Sequence, residues 1–177
     1  AVHLTGCSIH PQGYAAVVDR LREMSGVNMV ADIGNGTINV MYINDRRPVE
    51  SRCYTEKMGV NQCMIKVQNT VMNTFGTKID SSIIERFFRY GKADVGERYR
   101  ECIAAEIKAY AEQVIDVLKK YEYNPDLMKL YITGGGANIM KHFSDMDKSN
   151  VVFVEDICAA AKGYEAIAAQ ILKRRAS

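Results

Sequence analysis

Two short apolar segments of this chain each run straight into a cluster of glycines, and that pair constrains the fold more than any other feature. Val27 to Asp32 reads as a buried strand entering Gly34-Asn35-Gly36, and Leu127 to Thr133 reads as a strand entering Gly134-Gly135-Gly136. Asn-Gly between two β-rich runs is a strong hairpin signal, so the first turn leads into a second strand over Thr37 to Ile43. The second turn leads into a short helix through Ile139 and Phe143. If the two strands lie side by side, both loops open at one edge of a sheet, which is where open α/β folds bind ligands.

The rest of the chain fits around that pair. Val2 to His10 reads as a strand closed by Pro11, and the next helix carries Tyr14, Val17, Val18, Leu21 and Met24 on one stripe up to Ser25-Gly26. Asn44 and Asp45 make a turn before a third, more polar strand over Pro48 to Thr55. Three helices follow: Met58 to Phe75, one capped by Asp80 or Ser81 and ended by Gly91, and one from about Glu97 to Tyr121. Val151 to Val154 is a further strand. The last helix, about Asp156 to Lys173, places Ile157, Ala161, Tyr164, Ala168 and Ile171 on its core side. The order from Val27 is β-β-β, helix, helical insertion, β-α-β-α. It describes an α/β fold with a mixed sheet flanked by helices, the ribonuclease H-like arrangement. The expected units are a strand and crossover helix at 1–26, a core at 27–76 and 126–177, and a helical inserted subdomain at 77–125.

Composition removes several function classes. The net charge is +2 over 177 residues with no basic tract, so no large nucleic-acid-binding surface is indicated. No apolar run approaches the ~18 residues of a membrane span and no signal-peptide pattern opens the chain. The five cysteines form no C-x-x-C pair, and the three histidines lack ligand spacing to them. Structural zinc and thiol catalysis are therefore poorly supported, and buried thiols in a reducing cytoplasm are expected. The start at Ala1, without Met and inside an extended segment, is what a piece of a larger protein would show.

Each glycine turn has a bland reading and a functional one. The first is either a structural hairpin with a solvated Asp32, or an anion cradle in which backbone N–H groups approach closely and Thr37 adds a hydroxyl. Asp32 beside phosphates is what a magnesium ion with retained waters needs. The second is either a flexible loop or a flat backbone surface suited to a nucleoside or phosphate. Neither turn is a G-x-G-x-x-G fingerprint or a G-x-x-x-x-G-K-[ST] loop, so those two nucleotide folds are set aside.

Taken together, the segments resemble the actin-like ATPases, the superfamily of actin, sugar kinases and DnaK-type chaperones. Asp32-Ile33-Gly34-Asn35-Gly36-Thr37 is similar to their second phosphate loop, and Ile132-Thr133-Gly134-Gly135-Gly136-Ala137 to their adenosine loop. Pro11-Gln12-Gly13-Tyr14-Ala15-Ala16 and Lys162-Gly163-Tyr164-Glu165 resemble most the ParM (StbA) branch, the bacterial plasmid-segregation actins. The resemblance covers nearly all of this chain but only the second half of the family, and the family's first phosphate loop has no counterpart here. It implies ATP or ADP with magnesium as ligands, Asp32 holding the magnesium through water, and Gly34, Asn35, Gly36 and Thr37 around the phosphates. It gives Gln12 the place of a residue that orients the attacking water, although a polar residue opening a helix after Pro11 is the plain alternative. Gly134, Gly135, Gly136 and Ala137 would line the nucleoside and Met140 would pack on adenine, while Glu85 is either a ribose or purine contact or a solvated residue. The implied protein is a cytoplasmic ATPase that forms filaments with itself and meets DNA through an adaptor, with this chain alone inactive. Two other classes stay open: a sugar or acetate-type kinase of the same superfamily, and a ribonuclease H-like nuclease using Asp32 and Asp156. The chain would also serve as a folded interaction module without activity of its own.

Overall fold

A computed structural model of the chain describes Cys7 and residues 9–176. Positions 2–6 and 8 of the expected opening strand lie outside the described residues. Strand β1 (Val27–Ile33) pairs antiparallel with β2 (Ile38–Asn44), and β2 pairs antiparallel with β3 (Arg47–Glu56). On its other side β1 pairs parallel with β4 (Lys129–Thr133), which pairs parallel with β5 (Val151–Phe153). The sheet order is β3-β2-β1-β4-β5, the expected mixed α/β sheet flanked by helices. Its central position explains the composition of β1: Asn28 to Ile33 are all buried, as a strand covered on both faces requires.

Alternation along β1 divides the core in two. Met29, Ala31 and Ile33 face a large cluster built with α2 (Val60–Phe75), α3 (Ser81–Tyr90), α4 (Glu97–Lys120) and α5 (Ala137–Phe143). Val67 and Val71, Ile84 and Phe87, Ile107 and Val114, and Ile139 carry those four helices into it. The helices of 77–125 thus share one core with the sheet. Their ends follow the local chemistry: Asp80 accepts from the Ser82 N–H at 2.8 Å, and Gly76 and Gly91 stop α2 and α3 in the left-handed conformation. Val30 faces the second cluster, with Val17, Met24, Met41, Ile43, Tyr131 and Val154. That face is covered by α1 (Gln12–Ala15), a 3₁₀ segment at Val18–Glu23, and α6 (Ala159–Ala176). Among the described residues, no helix is long and apolar enough to cross a membrane.

Three local expectations are corrected. The single helix after Pro11 is broken at Val17, where φ is −121° and ψ is 10°; the adjacent β-branched Val17 and Val18 weaken helix continuation there. The turn between β2 and β3 is made by Asp45 and Arg46, both with positive φ, rather than by Asn44 and Asp45. The buried face of α6 is also different. Ile157 precedes the helix and is 95% exposed, and Ala161, Tyr164 and Ala168 are exposed as well. Among the residues of α6 whose burial is described, the buried one is Gly163, where a Cβ would sit 1.8 Å from the Ala15 carbonyl oxygen. Backbone lies against backbone at that crossing, so large side chains are excluded from the contact and turn outward.

Candidate functional site

Asp32 and Thr133 are register partners at the carboxyl ends of the adjacent parallel strands β1 and β4, so both glycine turns lie at one edge of the sheet. The first turn is closed by the Gly34 N–H donating to the Thr37 carbonyl at 2.9 Å. Its Gly34 and Asn35 carbonyls accept from the Val60 and Asn61 N–H groups that open α2, at 3.0 and 2.9 Å. Gly59 makes that seat possible, because a Cβ there would lie 2.3 Å from the Asn35 carbonyl oxygen.

In the second turn each glycine has its own reason. Gly134 has φ +83°, and a Cβ on it would lie 2.5 Å from the Ile33 carbonyl oxygen and 2.7 Å from Asp32 Oδ1. Gly136 donates its N–H to the Ile33 carbonyl at 3.0 Å, and a Cβ on it would lie 2.2 Å from Ile33 Cγ2. These two seat the loop on the end of β1. A Cβ on Gly135 would meet no heavy atom within 4 Å and would face open space.

Between the turns lies a cleft of about 240 Å³. It is lined by Gln12, Asp32, Gly34, Thr133, Gly134 and Gly135, with Ala137 and Asn138 from α5 and Glu155 to Ile157 from the segment after β5. Asp32 is 5% exposed, and burial pushes its carboxyl above the ordinary carboxylate range. No ion pair among the described residues involves it. The other two acids of the cleft are paired: Glu155 with Lys141 at 2.5 Å, and Asp156 with Lys162 at 2.6 Å. The Lys162 hydrogen bond, with a second from the Cys158 N–H, holds Asp156 below its usual value. Asp32 is therefore the acid with charge to offer a ligand, and with one carboxylate it suits a hydrated divalent cation bridging to an anion. No group of three His, Cys, Asp or Glu side chains among the described residues could enclose a metal directly.

The fold thus brings Gln12, Asp32, Gly34, Gly134, Gly135 and Ala137 to one cleft. Gly13 packs α1 there, a Cβ on it lying 3.4 Å from Asp32 Cβ. Asn35 and Gly36 are exposed at the hairpin tip and Thr37 is half-buried beside them, outside the cleft lining. Gly136 is consumed by packing on Ile33. Met140 is wholly buried in the large core cluster and does not reach the cleft. Glu85 lies in a separate surface depression with Ser82, Arg86, Arg89 and Tyr90. Sequence reasoning missed Asn138, Glu155 and Gly59. Glu155 was accessible from topology, since β5 runs parallel to β4 and ends at the same edge, whereas Gly59 carries no local signal of its contact.

The family described as "Archaeal actin homologue MreB-like, C-terminal" matches residues 30–145. No curated protein matches the chain. Among solved structures, the archaeal actin homologue Ta0583 in complex with ADP is 21% identical, with TM-score 0.70 over 91% of this chain and 57% of its own. MreB 5 of Spiroplasma citri bound to AMPPNP is 16% identical, with TM-score 0.67 over 93% of this chain and 60% of its own. The ParM of a 15-stranded filament from Clostridium botulinum is 17% identical, with TM-score 0.68 over 92% of this chain and 53% of its own. At these identities the likeness is one of fold, and the chain spans little more than half the length of these relatives.

Proposed function

The chain belongs to the family of archaeal MreB-like actin homologues, C-terminal domain, and from that premise we propose that it is the nucleotide-binding half of an actin-like ATPase that assembles into filaments. The observation carrying the proposal is the seat of the second glycine turn on the strand end that leads into the first: Gly134 and Gly136 rest on Ile33 beside Asp32, and Gln12 lines the same cleft. The ligand is ATP or ADP with magnesium. The donor set supports it: the buried Asp32 carboxylate for the hydrated cation and the open space at Gly135 for the nucleoside lie in the cleft, and the amides of Asn35 and Gly36 with Thr37, on the hairpin tip next to its Gly34 lining, would meet the phosphates. Magnesium supplies charge neutralisation at the phosphate oxygens when bound. Gln12 aligns the attacking water, and because a neutral amide is no base, hydrolysis is slow and governed by positioning.

The relatives solved with ADP and AMPPNP, and the ParM solved as a filament, support nucleotide binding and self-association. The finer reading is a plasmid-segregation protein of the ParM type that works in the cytoplasm and meets DNA through an adaptor. It rests on the segments around Gln12 and Gly163.

Two substitutions test the chemistry in the ATP-hydrolysing protein, with phosphate release and light scattering read together. Gln12→Ala is expected to bind nucleotide and assemble but to release phosphate slowly, leaving filaments that persist. Asp32→Ala is expected to weaken hydrolysis and nucleotide-dependent assembly together. Parental hydrolysis in Gln12→Ala would remove the water-positioning role, and absence of nucleotide-dependent scattering in the parent would contradict the filament reading.

A further inference from the structure

A trans peptide unit is planar, with the C=O of one residue and the N–H of the next pointing in opposite directions. That geometry has a consequence at the hairpin tip, where the Gly34 and Asn35 carbonyls both point at the start of α2 and accept from Val60 and Asn61. The N–H groups of the same two peptide units, those of Asn35 and Gly36, must then point together away from α2. Helix α2 packs on the sheet face of Met29, Ala31 and Ile33, while Asp32 projects from the opposite face. The two amides are thus turned toward the Asp32 side. Neither donates to a backbone carbonyl among the described residues. Two convergent, unpaired amides of successive residues make an anion-binding concavity.

We propose that the opening of α2, through Gly59, Val60 and Asn61, is the device that aims the Asn35 and Gly36 amides at an anionic phosphate ligand. This rests on the reading of the cleft, which the hairpin borders through Gly34, as a phosphate-binding site whose ligand extends to the hairpin tip. The first N–H groups of a helix have no partner within it and carry the positive end of its dipole. Here they are spent on two carbonyls, so their polarity passes through two peptide units to the hairpin tip. Gly59 is the residue that lets helix and tip approach, since its Cβ position lies 2.3 to 2.5 Å from three backbone atoms of Asn35 and Gly36. Gly59, Val60 and Asn61 are positioning residues that touch no ligand.

The discriminating substitution is Val60→Pro. Val60 is the first residue of α2, where proline is tolerated, and Gly59 before it has the extended backbone that precedes proline well (φ −89°, ψ −177°). Proline removes the N–H held by the Gly34 carbonyl and keeps a compact apolar side chain. Val60→Ala trims the side chain and keeps the N–H. The probe is inorganic pyrophosphate, titrated into the ¹⁵N-labelled chain while the backbone amide resonances are followed.

In the parent, the Asn35 and Gly36 amides are expected to shift and saturate with pyrophosphate while those of Val60 and Asn61 remain protected from exchange. Val60→Pro is expected to bind about tenfold more weakly than Val60→Ala, the scale of one hydrogen bond to a charged group. Equal weakening in the two variants would make the effect one of packing and overturn the proposal. So would pyrophosphate shifts in the parent that bypass Asn35 and Gly36, or no shift at all. Separate titration with ATP distinguishes the two readings: ATP bound equally by Val60→Pro and Val60→Ala leaves the nucleotide site standing and the aiming device refuted.

Discussion

Replacing Gly134 and Gly135 one at a time by alanine separates a glycine needed for folding from one that leaves room for a ligand. Gly134 has φ +83°, a conformation in which an alanine costs roughly 1–2 kcal/mol. Its Cβ would also lie 2.5 Å from the Ile33 carbonyl oxygen, and relieving such a contact against backbone costs about 1–3 kcal/mol. Stiffening of the unfolded chain returns only about 0.4–1 kcal/mol. The net loss for Gly134→Ala is therefore about 1–4.5 kcal/mol, or roughly 2–18 °C in Tm for a domain of this size. Gly135 has no positive φ and no neighbour within 4 Å, so Gly135→Ala is expected to match the parent in stability while weakening nucleotide binding. Thermal unfolding followed by circular dichroism, with nucleotide titration of both variants, is the assay. Equal losses of stability in the two variants, or parental stability in Gly134→Ala, would refute the division of labour within the glycine turn.

Asp32→Asn tests the burial of the carboxylate. Because burial raises the folded-state value, the folded chain binds the proton more readily than the unfolded chain, and stability attributable to this group falls as pH rises through the folded value. Asp32→Asn is thus expected to unfold at a higher temperature than the parent at pH 7 and to lose that advantage as the pH approaches the ordinary aspartate value. An advantage independent of pH would contradict the assignment. The expectation of buried thiols holds for Cys63 but not for Cys7, Cys53 and Cys158, which are exposed and are expected to react with a colorimetric disulfide reagent at pH 8 before unfolding. Cys63 is buried with its thiol pushed up to about 12 and is expected to react only in denaturant. Prompt reaction of Cys63 in the folded chain would mean that α2 does not pack on the sheet as described.

Much of this arrangement was legible in the residues. Gly34-Asn35-Gly36 between two apolar runs announced the hairpin, and the strand limits moved by one or two residues at most. Gly134-Gly135-Gly136 announces a backbone surface, although only the structure shows that a side chain is excluded by packing at Gly134 and Gly136 and would meet nothing at Gly135. Periodicity misplaces the face of α6 because the contact with α1 is carried by the absence of a side chain at Gly163, and periodicity weighs side chains that are present. The resemblance sets Met140 against adenine, whereas its position on the inner side of a seven-residue helix places it in the core. Gly59 was invisible for a different reason: nothing near it in the chain reports that the hairpin tip, more than twenty residues earlier, rests on its backbone.

On the proposed function, the two glycine turns form one site. Backbone amide resonances of the ¹⁵N-labelled chain, followed during titration with magnesium–ATP, test it most directly. Amides of Gly34 to Thr37 and of Gly134 to Ala137 are expected to shift together and saturate with one apparent dissociation constant, whatever its size. Shifts confined to one turn, or following two different constants, would contradict it.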